Sequence, residues 1–218
     1  MTHKRKVRYV TSSRFKKEEI EILSAYGTLA DGAKIADVFE WDIRELEVKE
    51  TLEVDLAKMV TEEVLDAYDR IKVPCMVEHA GILFVDHLDS GYPGGLTKAM
   101  WNALGDKFIE ETRAAGRPVV ARAVVGYCDG KCAQTFVGER RGTLADARRG
   151  GRQFYWDTVF IPDGADASLA GRTYAEIVDL KDWGLRYKVL ELSQSTIAIR
   201  RCLQHIRENA DKDGFWLE

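Results

Sequence analysis

The chain has 218 residues, 45% hydrophobic and 31% charged, with only 4 Pro. That is enough apolar material for one good core or two small lobes around a cleft, and it excludes a disordered or collagen-like protein. Thirty-two Lys and Arg against 36 Asp and Glu leave a net charge of -4, so no global positive field draws the chain to nucleic acid or to an anionic membrane, and any phosphate binding must be local.

The chain opens with a strand from Lys6 to Val10, a polar turn Thr11-Ser12-Ser13-Arg14, and a helix from about Phe15 to Tyr26 with Phe15, Ile20, Leu23 and Tyr26 among its apolar residues. A second strand is predicted over Lys34 to Phe39. After an acidic stretch, Leu56, Met59, Val60, Val64, Leu65, Tyr68 and Ile71 recur at helical spacing, so one face of that helix is buried. Val73 to Val77 reads as a short buried strand ending at Glu78-His79-Ala80-Gly81, and Ile82 to Val85 resumes strand character. Gly91-Tyr92-Pro93-Gly94-Gly95 makes a turn, and a helix follows from about Thr97 to Thr112.

Pro118 to Tyr127, an Asp129-Gly130 turn and Cys132 to Val137 form an antiparallel hairpin, while the Gly- and Arg-rich stretch Arg140 to Arg152 is expected to be a mobile basic segment beside a site. Strand character returns at Thr158 to Ile161, and the chain closes on a helix from about Ser195 to Glu208 carrying Ile197, Cys202, Leu203 and Ile206 on its apolar side. The alternation of strands and helices argues for an α/β protein with a mixed sheet, one domain over residues 1–218 with two lobes sharing that sheet.

The apolar runs, such as Gly81-Ile82-Leu83-Phe84-Val85, stop far below the roughly 20 residues that cross a bilayer. The basic start, Met1 to Lys6, lacks the apolar region of a secretory signal. A cytoplasmic protein is expected. In the predicted hairpin Cys128 faces Lys131 and Cys132 faces Tyr127, which puts the two sulfurs on opposite faces. Cys75, Cys128, Cys132 and Cys202 are therefore read as reduced structural thiols.

Three polar clusters fall where strands end, the usual ligand position of open α/β sheets. Thr11, Ser12, Ser13 and Lys16 can hold phosphate oxygens through hydroxyls, helix N–H groups and a cation, or they are a plain helix cap. Glu50 and Glu78 can share a Mg²⁺ if the fold brings them together, or they are solvated acids. Phe154-Tyr155-Trp156-Asp157 can stack on a base and read its edge, or its aromatics are core.

Taken in order, these clusters resemble the inosine triphosphate pyrophosphatase (ITPase) family, which converts ITP, dITP and XTP to the monophosphate and pyrophosphate. The family's strand–T-G-N-x-x-K entry is matched by Thr11-Ser12-Ser13-Arg14-Phe15-Lys16, and its acidic metal-binding Glu by Glu50. Its E/D-D-[ST]-x-L strand end is matched by Glu78-His79-Ala80-Gly81-Ile82, and its G-G-x-P-G turn by Ser90-Gly91-Tyr92-Pro93-Gly94. The block F-G-[WY]-D-P-x-F-x-P-D-G and a later T-Y-A-E appear as Phe154 to Gly164 and Thr173-Tyr174-Ala175-Glu176. The resemblance runs from residue 7 to about residue 205 and implies an elongated mixed β-sheet with flanking helices, two lobes around a nucleotide-binding cleft, a Mg²⁺ cofactor and a homodimer.

Two departures stand out. The second acid of the E/D-D pair, the family's base or metal ligand, is His79 here. The terminal K-N-x-x-S-H-R motif, whose lysine holds phosphates and whose His and Arg read the purine, gives way to Ser193-Gln194-Ser195 after an inserted stretch Val178 to Leu190. Arg186, Lys188, Arg200 or Arg201 are candidates for the missing charge, or are ordinary surface cations; His3, His87 and His205 are assigned to surface or satisfied polar positions.

The resemblance then implies a binder of dITP or ITP, with XTP next, whose catalysis is impaired: Thr11, Ser12, Ser13 and Lys16 cradle phosphates, Glu50 and Glu78 hold Mg²⁺, and Phe154, Trp156 and Asp157 frame the base. It is similar to ITPase-like proteins of bacterial anti-phage defence that bind dITP as a signal and license a sirtuin-like NAD-consuming effector. The alternative is an active pyrophosphatase in which His79 or Asp86 supplies the base. A third reading is a scaffold that keeps the fold and binds no nucleotide.

Overall fold

The computed structural model describes residues 4–181 and 183–209; His3 lies outside them. Strand β1 (Arg5–Val10) buries Val7, Tyr9 and Val10 and leads into helix α1 (Arg14–Tyr26), where the Ser13 hydroxyl accepts the Lys16 N–H. A short helix, α2 (Ile35–Val38), and strand β2 (Phe39–Arg44) replace the strand expected at Lys34 to Phe39. Ile35 is fully buried and its carbonyl accepts the Phe39 N–H, so the segment closes a helical turn before it extends.

Helix α3 (Leu56–Ile71) begins at Asp55, whose carboxylate accepts the Ala57 and Lys58 N–H groups, and stops at Lys72 with φ 55°. Strand β3 (Cys75–Phe84) is continuous, against the break expected at Glu78 to Gly81. Gly81 marks a close approach instead: a Cβ there would lie 2.2 Å from the Gly94 carbonyl oxygen. The helix expected from Thr97 to Thr112 is split into α4 (Thr97–Leu104) and α5 (Phe108–Glu111) at Gly105, whose φ is 55°.

Strands β4 (Pro118–Cys128) and β5 (Ala133–Leu144) form the hairpin, but with the turn one residue later than expected, which moves each pairing by two residues. Cys128 pairs with Ala133 and Tyr127 with Gln134. The tight turn is Gly130-Lys131 because Gly130 takes φ 92° and the Asp129 carboxylate accepts the Lys131 and Cys132 N–H groups. All four thiols are free, and Cys75 lies opposite Cys128 across β3 and β4. Arg140 to Leu144, expected to be mobile, is strand. Strand β6 (Phe160–Pro162), α6 (Tyr174–Val178), α7 (Gly184–Tyr187) and α8 (Gln194–Glu208) complete the described chain, with a single π-helical turn over Lys188–Leu192 ahead of α8.

The strands form one six-stranded sheet in the order β2-β1-β3-β4-β5-β6. β1 pairs in parallel with β2 and β3, and the remaining pairs are antiparallel, giving the mixed sheet the sequence called for. The long strands β3, β4 and β5 pass through both lobes. Near one end, α1 and α8 pack on Tyr9, Met76, Val125 and Tyr127, with α3 on the opposite face against Val77, Val124 and Cys128. At the other end, Ile82, Phe84, Val119, Ala121 and Leu144 meet Trp101, Phe108, Phe160 and Tyr174. Residues 78 and 79 sit at the middle of β3, where the two lobes join. No helix of the described residues is long and apolar enough to cross a membrane.

Candidate active site

A cleft of about 530 Å³ opens at that junction. It gathers the β1–α1 turn, residues 46–50, the middle of β3, α4, residues 153–157 and the start of α8. Thr11, Ser12, Ser13, Lys16, Glu50, Glu78, His79, Phe154, Trp156 and Asp157, all singled out from the sequence, line it. Asp86 does not; Arg117 grips its carboxylate with two nitrogens at 2.5–3.0 Å.

At the phosphate end, Thr11 Oγ1 accepts the Ser13 N–H at 3.1 Å and Ser13 Oγ accepts that of Lys16. The hydroxyls thus cap α1 with their oxygens and keep their hydrogens free to donate. Lys16 Nζ lies 2.9 Å from Glu78 Oε2 and also donates to the Glu78 carbonyl. Tyr9 donates to Oε2 at 3.3 Å and Ser195 to Oε1 at 3.0 Å. Burial pushes the Glu78 carboxyl up, but the Lys16 charge and the hydrogen bonds from Lys16 and Ser195 outweigh it and hold it below the usual range. The same partner raises Lys16 against the desolvation that lowers it.

Because successive residues of a strand face opposite ways, His79 turns from Glu78 toward α3. Its Nδ1 is 3.1 Å from Oε1 of Glu63, and both side chains are buried. Ligand atoms of Glu50, Glu63 and His79 lie within 4.8 Å of one another. The set that converges on Glu50 is therefore Glu63 and His79, while Glu78 belongs to the Lys16, Tyr9 and Ser195 cluster. Glu50 also binds Lys98 Nζ, and this cation overrides partial burial to keep the Glu50 carboxyl low. Two carboxylates with an imidazole nitrogen do not fit Mg²⁺, which takes oxygen donors and water in a near-ideal octahedron.

At the far end, Asp157 and Lys188 form a buried pair at 3.1 Å, and Glu19 lies closer to the same ammonium at 2.7 Å. Desolvation raises the Asp157 carboxyl to about 6 in spite of Lys188, while the two carboxylates together lift Lys188 above its ordinary value despite its burial. The asymmetry follows from the neighbours: Lys188 has two anions, whereas Asp157 shares Lys188 with Glu19, whose charge raises it further against the help of Lys188 and Arg152. Phe154 meets Phe15 of α1 with ring centroids 4.8 Å apart. Trp156 is 6% exposed and packs on Phe160 and Tyr174, so its ring is core as much as wall.

Of the four cations offered as replacements, Lys188 enters the cleft. Arg186 lies over Tyr26, Arg201 donates to the Val137 carbonyl, and Arg200 and Arg201 line a different depression on α8. Glu63, Glu19 and Ser195 were not singled out from the sequence. Glu63 had a signal: it interrupts the apolar stripe Met59, Val60, Val64, Ala67 on the buried face of α3.

The model of the Ham1 family matches residues 7–181. Inosine triphosphate pyrophosphatase 2 of Trypanosoma cruzi is 31% identical over 181 residues, 80% of this chain and 82% of the relative. The dITP/XTP pyrophosphatase of Methanopyrus kandleri is 38% identical over 104 residues, 44% of this chain and about half (52%) of the relative. Among solved structures, a HAM1 protein from Coxiella burnetii superposes with a TM-score of 0.60 at 15% identity, over 91% of this chain and 99% of that one.

Proposed function

We propose a function from one premise: the chain belongs to the Ham1 family. It binds a purine nucleoside triphosphate with a deaminated base, dITP or ITP first and XTP next, and turns it over poorly, so that the occupied cleft is a signal. The observation that carries this reading is the pair at the centre of β3. Glu78 is paired with Lys16 and accepts from Tyr9 and Ser195, and the neighbouring place, an acid in the pattern the chain resembles, is an imidazole held by Glu63.

Hydrolysis of a phosphoanhydride is positioning and charge stabilisation, and losing a carboxylate there weakens transition-state stabilisation more than ground-state binding. The lining of the cleft supports binding. The Thr11, Ser12 and Ser13 hydroxyls and Lys16 face the phosphates, Phe154 offers a ring to the base, and Asp157 with Lys188 offers polar contacts at its edge. The relatives named as dITP/XTP and inosine triphosphate pyrophosphatases support the choice of ligand. A homodimer that passes the signal to a sirtuin-like NAD-consuming effector in anti-phage defence is the setting this reading fits.

The test is a thermal-shift series with dITP, ITP, XTP, GTP, dATP and ATP, run beside pyrophosphate release. Saturating dITP at about a hundred times its Kd is expected to raise Tm by about 5–10 °C, with no release at enzyme-like rates. Turnover of about 1 s⁻¹ or more overturns impaired catalysis. No shift with any nucleotide overturns binding and leaves a scaffold.

A second reading has one observation in its favour. Glu63 on Nδ1 of His79 is the arrangement that orients an imidazole as a general base, leaving Nε2 for a water. If the protein is an active pyrophosphatase, Glu63→Gln abolishes turnover while nucleotide binding persists.

A further inference from the structure

We propose that Glu50, Glu63 and His79 form a site selective for a transition-metal dication of the Mn²⁺ type, with His79 as a nitrogen ligand. The three side chains come from separate parts of the chain, and their ligand atoms fall within 4.8 Å of one another. In an octahedron with bonds of about 2.2 Å, donors lie about 3.1 Å apart when adjacent and about 4.4 Å apart when opposed, so these side chains need only a small inward shift to close on an ion. The 3.1 Å between His79 Nδ1 and Glu63 Oε1 matches the adjacent edge of that octahedron.

Glu63 supplies an independent sign. It is 2% exposed, and among the described residues no lysine or arginine lies within ion-pair distance of it; its one ion-pair neighbour is His79. Beyond His79 it feels the charge of Lys16 only from outside ion-pair distance, so a dication at the site would complete its compensation. Lys98 answers Glu50 from across the cleft through Oε1, and among the described residues no hydrogen bond is made to its Oε2. Imidazole nitrogen beside carboxylate oxygen suits Mn²⁺ and its heavier neighbours and is a poor match to Mg²⁺.

The inference rests on the reading of this cleft only for its place, and its test uses the metal alone. The full chain, free of nucleotide, is titrated with MnCl₂ and with MgCl₂ by calorimetry, and the Mn²⁺ complex is examined by pulsed EPR for coupling to a directly bound ¹⁴N. The expected result is one Mn²⁺ bound at least about tenfold more tightly than Mg²⁺, with a ¹⁴N coupling. His79→Asp is expected to erase that coupling and to lower the Mn²⁺ to Mg²⁺ affinity ratio by about tenfold or more. Absence of the ¹⁴N coupling in the wild-type complex, or failure of Mn²⁺ to bind, overturns the proposal whether or not the variant folds. So does an unchanged ratio in a folded His79→Asp protein. Neither failure touches the nucleotide thermal shifts, which stand or fall separately.

Discussion

Lys16 shows how one side chain settles the chemistry of another. Its ammonium lies against a carboxylate with a side chain 2% exposed, so removing it leaves Glu78 buried with only two hydroxyl donors. Lys16→Met is expected to destabilise the protein by about 3 kcal/mol in urea unfolding and to remove the thermal shift given by dITP. Asp157 works in the opposite direction. Its carboxyl is raised to about 6, so between about pH 4 and 6 the folded protein keeps a proton that the unfolded chain has released. Folding stability contributed by this group therefore falls as pH rises through that window and levels off above it. Asp157→Asn is expected to flatten that fall, which chemical denaturation at a series of pH values would show. A variant that keeps the wild-type slope would overturn the assignment of that fall to Asp157.

Elements carry a different kind of constraint, because two of the close packings in this fold are made by glycines. On β5, a Cβ at Gly138 would fall 2.1 Å from the Gln194 carbonyl oxygen and 2.6 Å from the Ala198 nitrogen, both backbone atoms of α8. Neither can turn aside, so Gly138→Val is expected to cost about 3 kcal/mol and to shift the start of α8, where Gln194 and Ser195 line the cleft. Urea unfolding checks the first effect and loss of nucleotide stabilisation the second.

What the sequence showed of these elements follows from the same physics. Helix α3 was legible because its apolar residues keep a helical period, and β1 with α1 because a strand, a hydroxyl cap and a helix follow one another directly. The hairpin was legible but not its register, since either Asp129-Gly130 or Gly130-Lys131 satisfies a two-residue turn until the side chain of Asp129 chooses. The site was legible as a set of residues from the order of its motifs, although Glu78 and His79 lie in the middle of β3 and not at a strand end. Its wiring was not: which acid meets Glu50 depends on β3 turning Glu78 and His79 to opposite faces, and on the angle at which α3 crosses them. Lys188 sits inside a stretch with no pattern of its own, and a single π-helical turn brings it to Asp157.

Across the whole molecule, the cleft is closed by contacts between the lobes. Arg152 reaches from the second lobe to α1, with Nη1 at 2.7 Å from Glu18, Nη2 at 3.5 Å from Glu19, and its guanidinium 4.5 Å above the Phe15 ring. Arg152→Ala is expected to speed amide hydrogen exchange over residues 149–155 without lowering global stability by more than about 1 kcal/mol. Unchanged exchange there would place the closing force elsewhere. The chain's overall charge of -4 adds nothing attractive for a triphosphate. Nucleotide affinity is therefore expected to rest on Lys16 and its neighbours and to fall with added salt.

The Phe15–Phe154 contact has its own bearing on what enters. Each ring already has an aromatic neighbour, at 4.8 Å, before any base arrives. On the proposed reading, a base that stacks on Phe154 does so in competition with Phe15, and its affinity reports the difference between two stacks of comparable strength, each about 0.5–1.5 kcal/mol. A fused two-ring base offers more face than a phenyl group, and a single pyrimidine ring does not. On that reading the resting contact is a size filter that would favour purines over pyrimidines before any polar group reads the base.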